Sequence, residues 1–192
     1  MFYGERPTDL TLTWDEISMC AKYGDLITEE NKGIADSRNY TAKQLTDRQG
    51  NILGVIAEYS FLKAIGKEND WEGIWIPFTK LEDYGPNTTG KPDVADKYEI
   101  RRAHYMNSGI PIRAKDRKAN AIIVQAFVGY TNLPGGKIRA TKEVNFLGWT
   151  DAVNDYDTAS ETNYRSYDTK TQHNKRPMST LDLSYVLGGV AA

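Results

Sequence analysis

The chain has 192 residues, 40% of them apolar and 26% charged, which suits one compact globular domain with a substantial core. Its formal net charge of −2 argues against indiscriminate polyanion binding by the whole surface, and no run of about 18 apolar residues is present to cross a membrane as a helix. A single cysteine, Cys20, excludes an internal disulfide framework and fits a reducing compartment.

The N-terminal MFYGERPTDL carries acids and lacks an apolar h-region, so it does not read as a secretory signal. Thr13 with Glu16 forms a capping-box start. A helix from there to about residue 31 would turn Ile17, Cys20, Ala21 and Ile27 inward. The stretch 36–43 reads as a connection. Thr46 with Gln49 is a second capping box, followed by a stronger pattern. Leu53, Ile56, Ala57, Ser60, Phe61 and Ala64 recur at helical spacing and predict an amphipathic helix, with Gly66 placed to end it.

Beyond that helix the period changes from about four to two. Strands are expected at 72–77, 97–103, 110–114, 121–128 and 144–149, with a loop over 83–92 and a turn over 132–137. Residues 151–175 are polar and weakly periodic. The expected fold is α/β or α+β: a helical part (1–45), a core with a central mixed sheet flanked by helices (46–150), and a polar tail (151–192), forming a single domain.

Charge is unevenly spread. Residues 1–90 carry nine Lys/Arg and fifteen Asp/Glu. Residues 97–118 carry seven basic side chains, Lys97, Arg101, Arg102, Arg113, Lys115, Arg117 and Lys118, against only Glu99 and Asp116. Such a strip on an acidic protein can steer a polyanion to one face, or it can simply be a solvated hairpin.

The chemistry concentrates in 90-GKPDVADKYEIRRA-103. On a strand, residues two apart share a side, so Glu99 and Arg101 project together while Tyr98, Ile100 and Arg102 face the other way. A short turn would bring Asp93 beside Glu99. Two carboxylates and the carbonyl of residue 100 make an oxygen-rich site suited to Mg²⁺ or Mn²⁺. Arg101 would supply a cation for a phosphate. Glu58 lies at the margin of the apolar stripe of its helix, where a carboxylate either is exposed or needs a partner. His104 and His173 stand far apart without supporting cysteines, which speaks against a His/Cys metal site. Lys115 is a further cation that could reach this site and supply a lysine there, with DNA-backbone contact or solvent as its competing readings. Gln125 interrupts an apolar strand and either faces the site or is satisfied by backbone.

Helix Glu, then Pro-Asp, then Glu-x-Lys on a strand is the pattern of the PD-(D/E)XK nuclease superfamily. The chain resembles it through Glu58, Pro92-Asp93 and Glu99-Ile100-Arg101, with Arg where the family usually has Lys. Arginine keeps the charge but is bulkier and does not exchange its proton near neutral pH. The resemblance implies a restriction-endonuclease-like core and Mg²⁺-dependent hydrolysis of DNA, with Glu58, Asp93 and Glu99 as metal ligands and Arg101 at the phosphate. Arg102, Arg113, Lys115, Arg117 and Lys118 would contact DNA. Members often act as dimers, so a homodimer is a possible partner state. YEIRRA, IPIRAKD, AIIVQAFV, FLGW and KRPM are similar to segments of small phage-encoded nuclease-like proteins, some with Glu-x-Arg, which implies a phage origin and action in the host cytoplasm. The alternative is an inactive nuclease-fold protein that binds nucleic acid or a host protein. A structural or assembly role, with the acidic strand incidental, is the third reading.

Overall fold

The computed structural model describes residues 9–30, 45–71, 92–161 and 169–183. The expected strand at 72–77, the connection at 36–43 and nearly all of the loop at 83–92 lie outside the described residues. The fold is α+β. In chain order it comprises β1 (Asp9–Thr11), α1 (Trp14–Glu30), α2 (Asp47–Ala64), β2 (Tyr98–Ala103), β3 (Ile110–Arg113), α3 (Ala114–Lys118), β4 (Ile122–Leu133), β5 (Lys137–Asp151), α4 (Ala152–Asp155), β6 (Ser160–Glu161) and β7 (Thr169–Gln172). Among the described residues no helix is long and apolar enough to cross a membrane.

Four strands form a mixed sheet in the order β1-β5-β4-β2, and three form a second sheet in the order β3-β7-β6. The chain divides into two compact units, one of residues 10–87 and 128–144, the other of 1–9, 88–127 and 145–192.

In the first unit, both expected capping boxes are present. Thr13 N donates to Glu16 Oε2 at 2.7 Å and Glu16 N to Thr13 Oγ1 at 3.2 Å. The same reciprocal pair joins Thr46 and Gln49 at 2.8 and 3.3 Å, satisfying donors that a helix start leaves open. The inner face of α2 buries Leu53, Ile56, Ala57, Ser60 and Phe61, as its spacing predicts, while Ala64 at its end is only half-buried. In α1, Ile17 and Cys20 are buried, while Leu26 is buried in preference to Ala21 and Ile27. A Cβ on Gly24 would stand 2.6 Å from Ile52 Cα, so α1 meets α2 closely along its Gly24 side, whereas Leu26, two residues on, lies on a different face of α1 and is buried there. Glu16 also spans the pair, accepting from Lys63 Nζ at 2.7 Å and Tyr59 Oη at 2.9 Å.

In the second unit, β2 runs parallel to β4 with Arg101 opposite Gln125. The expected hairpin of β2 with the next strand does not form. Instead β3 pairs antiparallel with β7, Ile110 opposite Gln172, and β3 with α3 makes the crossover that parallel pairing requires. The core here gathers Ile110, Ile112, Ala121, Ile123, Ala152 and Ala159. β4 runs to Leu133 and β5 begins at Lys137, both longer than their apolar runs. The tight turn between them extends the pairing through polar residues whose side chains are partly solvated.

Candidate active site

The site is built by a turn and one strand. After Pro92, Val94 N donates to Tyr98 O at 3.0 Å and Tyr98 N to Val94 O at 2.9 Å. Ala95 and Asp96 close this loop at φ 51° and 52°, a left-handed conformation that non-glycine residues seldom adopt. The chain thereby doubles back, and Asp93 Oδ2 accepts from Ile100 N at 2.7 Å. Loss of hydration at the Asp93 carboxyl raises its pKa to about 7, and the nearby Glu99 charge pushes the same way against the Ile100 hydrogen bond. The residue as a whole is exposed, so solvent screens part of that repulsion.

Glu99 is 13% exposed at its side chain and meets two cations. Arg101 Nη2 lies 3.1 Å and Lys115 Nζ 3.7 Å from Glu99 Oε1. The same Arg101 nitrogen donates to both oxygens of Asp116 at 2.8 Å, and Nη1 donates to Pro111 O at 3.0 Å. Arg101 is 7% exposed and Asp116 2%, which makes this a buried ion cluster. The Arg101 Nε is buried and meets no hydrogen-bond partner among the described residues. Asp116 also accepts from Arg113 N at 2.6 Å. Burial pushes the Asp116 pKa up, with Arg101 and the Arg113 amide pulling against it.

The sequence-predicted residues fall in both compact units. Asp93, Glu99 and Arg101 share one strand and its approach. Glu58 lies on α2 in the other unit, half-buried, close enough to Cys20 that its charge, after burial, helps raise the thiol's pKa. Among the described residues, no group of three or more His, Cys, Asp or Glu side chains is gathered tightly enough to hold a metal ion.

Of the basic strip, Arg113, Lys115, Arg117 and Lys118 are exposed along the end of β3 and α3. Arg117 pairs with Asp157 at 3.1 Å and lies over the Tyr156 ring. Arg102 faces away from Arg101, as strand alternation requires, and contacts His104 Nδ1 at 3.0 Å. Burial, then the Arg102 charge, lowers the His104 pKa. That favours a neutral ring accepting from the guanidinium.

Sequence reasoning counted Asp116 only as an opposing charge in the basic strip. Its position three residues after Arg113, where its carboxylate caps α3, was the available signal. Lys175, which reaches Gln125, opens the KRPM segment, but sequence reasoning gave it no role at the site.

No protein-family model, no curated protein and no solved structure matches the chain.

Proposed function

We propose that the chain is a metal-dependent nuclease that hydrolyses DNA phosphodiester bonds at Asp93 and Glu99. The observation that supports this most is the turn that folds the Asp93 carboxylate back onto the strand carrying Glu99. Two like charges held together there are relieved by a hard cation.

The donor set fits Mg²⁺ or Mn²⁺ in a particular way. Asp93 and Glu99 supply two carboxylates, and Mg²⁺ is commonly held by one or two carboxylates with water and substrate phosphate completing its shell. Such an ion would lower the pKa of a bound water and offset phosphate charge. Glu58, expected as a third ligand, belongs to this proposal only through the resemblance.

The chain's own residues divide the remaining work. Arg101 positions Glu99: both of its amino groups are engaged with Glu99, Asp116 and Pro111 O, so the phosphate role expected of it passes to Lys115. That ammonium is 48% exposed and 3.7 Å from Glu99, on a flexible stem able to turn toward a phosphate oxygen. Arg113, Arg117 and Lys118 extend the basic surface along which a DNA strand would be held.

One observation favours a second reading, a nuclease-fold protein that binds nucleic acid or a host protein without cutting. The cation at the usual lysine position is locked in an internal ion cluster.

The test is incubation of purified protein with supercoiled, linear, branched and single-stranded DNA, with Mg²⁺, Mn²⁺ or chelator. Metal-dependent cleavage that falls at least about 100-fold in Asp93→Asn and Glu99→Gln supports the nuclease. Binding without cleavage in every metal supports the second reading. Absence of both removes both, and Glu58→Ala tests the third ligand.

A further inference from the structure

Gln125 stands on β4 directly opposite Arg101 of β2. In-register side chains of neighbouring strands share a face. Glu99, Arg101 and Gln125 therefore belong to one face of the sheet. The approach to β3 is tied to this row at two points. Arg101 Nη1 donates to Pro111 O at 3.0 Å, and Gln125 Nε2 donates to Gly109 O at 2.9 Å. The Gln125 amide nitrogen is thus satisfied by backbone, and its oxygen serves another group.

That group is Lys175, whose Nζ donates to Gln125 Oε1 at 3.0 Å. The lysine comes from a segment fixed at both ends. Before it, Gln172 pairs with Ile110, and Gly109 is packed so tightly that a Cβ there would lie 2.4 Å from Thr171 Cγ2. After it, Arg176 exchanges backbone hydrogen bonds with Trp149 at 2.9 and 3.0 Å, and its guanidinium grips Asp155 and covers the Trp149 ring. The backbone at 175 is accordingly held in place, and the side chain is directed at Gln125.

The half-buried ammonium has a neutral partner where Lys63 and Lys115 have charged ones. Lys63 meets Glu16 at 2.7 Å and Lys115 meets Glu99 at 3.7 Å. Among the described residues Lys175 meets no carboxylate. An amide oxygen replaces lost hydration only in part, and burial lowers the lysine's pKa. One of its three N–H donors is used on Gln125, leaving two for an anion.

We propose that Lys175, steadied by Gln125, contacts a backbone phosphate flanking the one at Asp93 and Glu99. The inference rests on the nucleic-acid reading above and adds a binding residue from outside the sequence pattern that suggested it.

The test is the salt dependence of binding to a short fluorescein-labelled DNA duplex, followed by anisotropy in chelator, so that cleavage plays no part. Lys175→Gln can still donate to Gln125 but carries no charge, whereas Lys175→Arg restores the charge. Loss of one phosphate contact lowers the slope of log K against log salt by about 0.9. That decrease is expected in Lys175→Gln and in Gln125→Glu, which neutralises the ammonium without removing it. Lys175→Arg should retain the wild-type slope, and so should Lys22→Met, a control on the exposed face of α1. Wild-type slopes in both Lys175→Gln and Gln125→Glu overturn the phosphate contact while leaving DNA binding intact. An equal decrease in Lys175→Arg and Lys175→Gln assigns the effect to local packing and likewise overturns it. Failure of the wild-type protein to bind DNA at any salt removes the nucleic-acid reading and this inference together.

Discussion

Arg101 joins Glu99, Asp116 and the Pro111 carbonyl through its two amino groups. Asp116, at 2% exposure, would be left as a buried charge without it. Breaking a buried pair from one side costs about 3–5 kcal/mol, so Arg101→Met is expected to lower unfolding free energy by about that amount in urea titrations. Arg101→Lys recovers only part of it, because a single ammonium cannot reproduce the fork that reaches three acceptors. A loss below about 1 kcal/mol in Arg101→Met would contradict the positioning role. Lys115 predicts the opposite balance. Its exposed ammonium makes Lys115→Met nearly neutral for stability, within about 0.5 kcal/mol, yet costly for metal-dependent cleavage. Asp93 adds a pH dependence. Its native pKa of about 7 stands above the ordinary 3.8, so the folded chain holds a proton that the unfolded chain has released. In chelator this group favours the fold most fully below about pH 4, and that contribution declines as pH rises through 7. Solvent at this exposed residue makes the slope shallow. Asp93→Asn should flatten that part of the profile, and an unchanged profile would contradict the assignment.

At the scale of elements, Glu16 caps α1 and crosses to Lys63 and Tyr59 of α2. Burial alone would raise its pKa, but hydrogen bonds from Lys63, Thr13 and Tyr59 outweigh burial and hold it below 4.5. A lowered pKa stabilises the fold above the unfolded value and ceases to do so as pH falls. Glu16→Gln should therefore cost about 1–2 kcal/mol near neutral pH and less in acid, read from chemical denaturation at both values. Both long helices were legible because their signals are local: a capping box followed by apolar spacing. β2 was legible for the same reason, through the alternation around Glu99 and Arg101. The partner of β3 was not. Its pairing with β7 goes with Gly109 admitting the Thr171 side chain and the Gln172 carbonyl, a long-range fit that leaves no periodic trace. α3 was hidden because its stabilising carboxylate, Asp116, resembled an ordinary surface acid.

For the molecule as a whole, an acidic chain presents Arg113, Lys115, Arg117 and Lys118 together on one exposed segment. The Asp93–Glu99 pair was legible as a possibility, since one turn and one strand sufficed to make it. Glu58 illustrates the limit of such reading: helical position places a residue on an element, but does not say what that residue meets beyond its own element. The central claim is that Asp93 and Glu99 together hold a divalent cation. Titration calorimetry of the purified protein with Mn²⁺ near neutral pH tests it directly. The account predicts saturable binding that weakens at least about tenfold in Asp93→Asn and in Glu99→Gln, with both variants folded by circular dichroism. Absence of saturable binding in the wild-type protein, or equal binding in both variants, would contradict it.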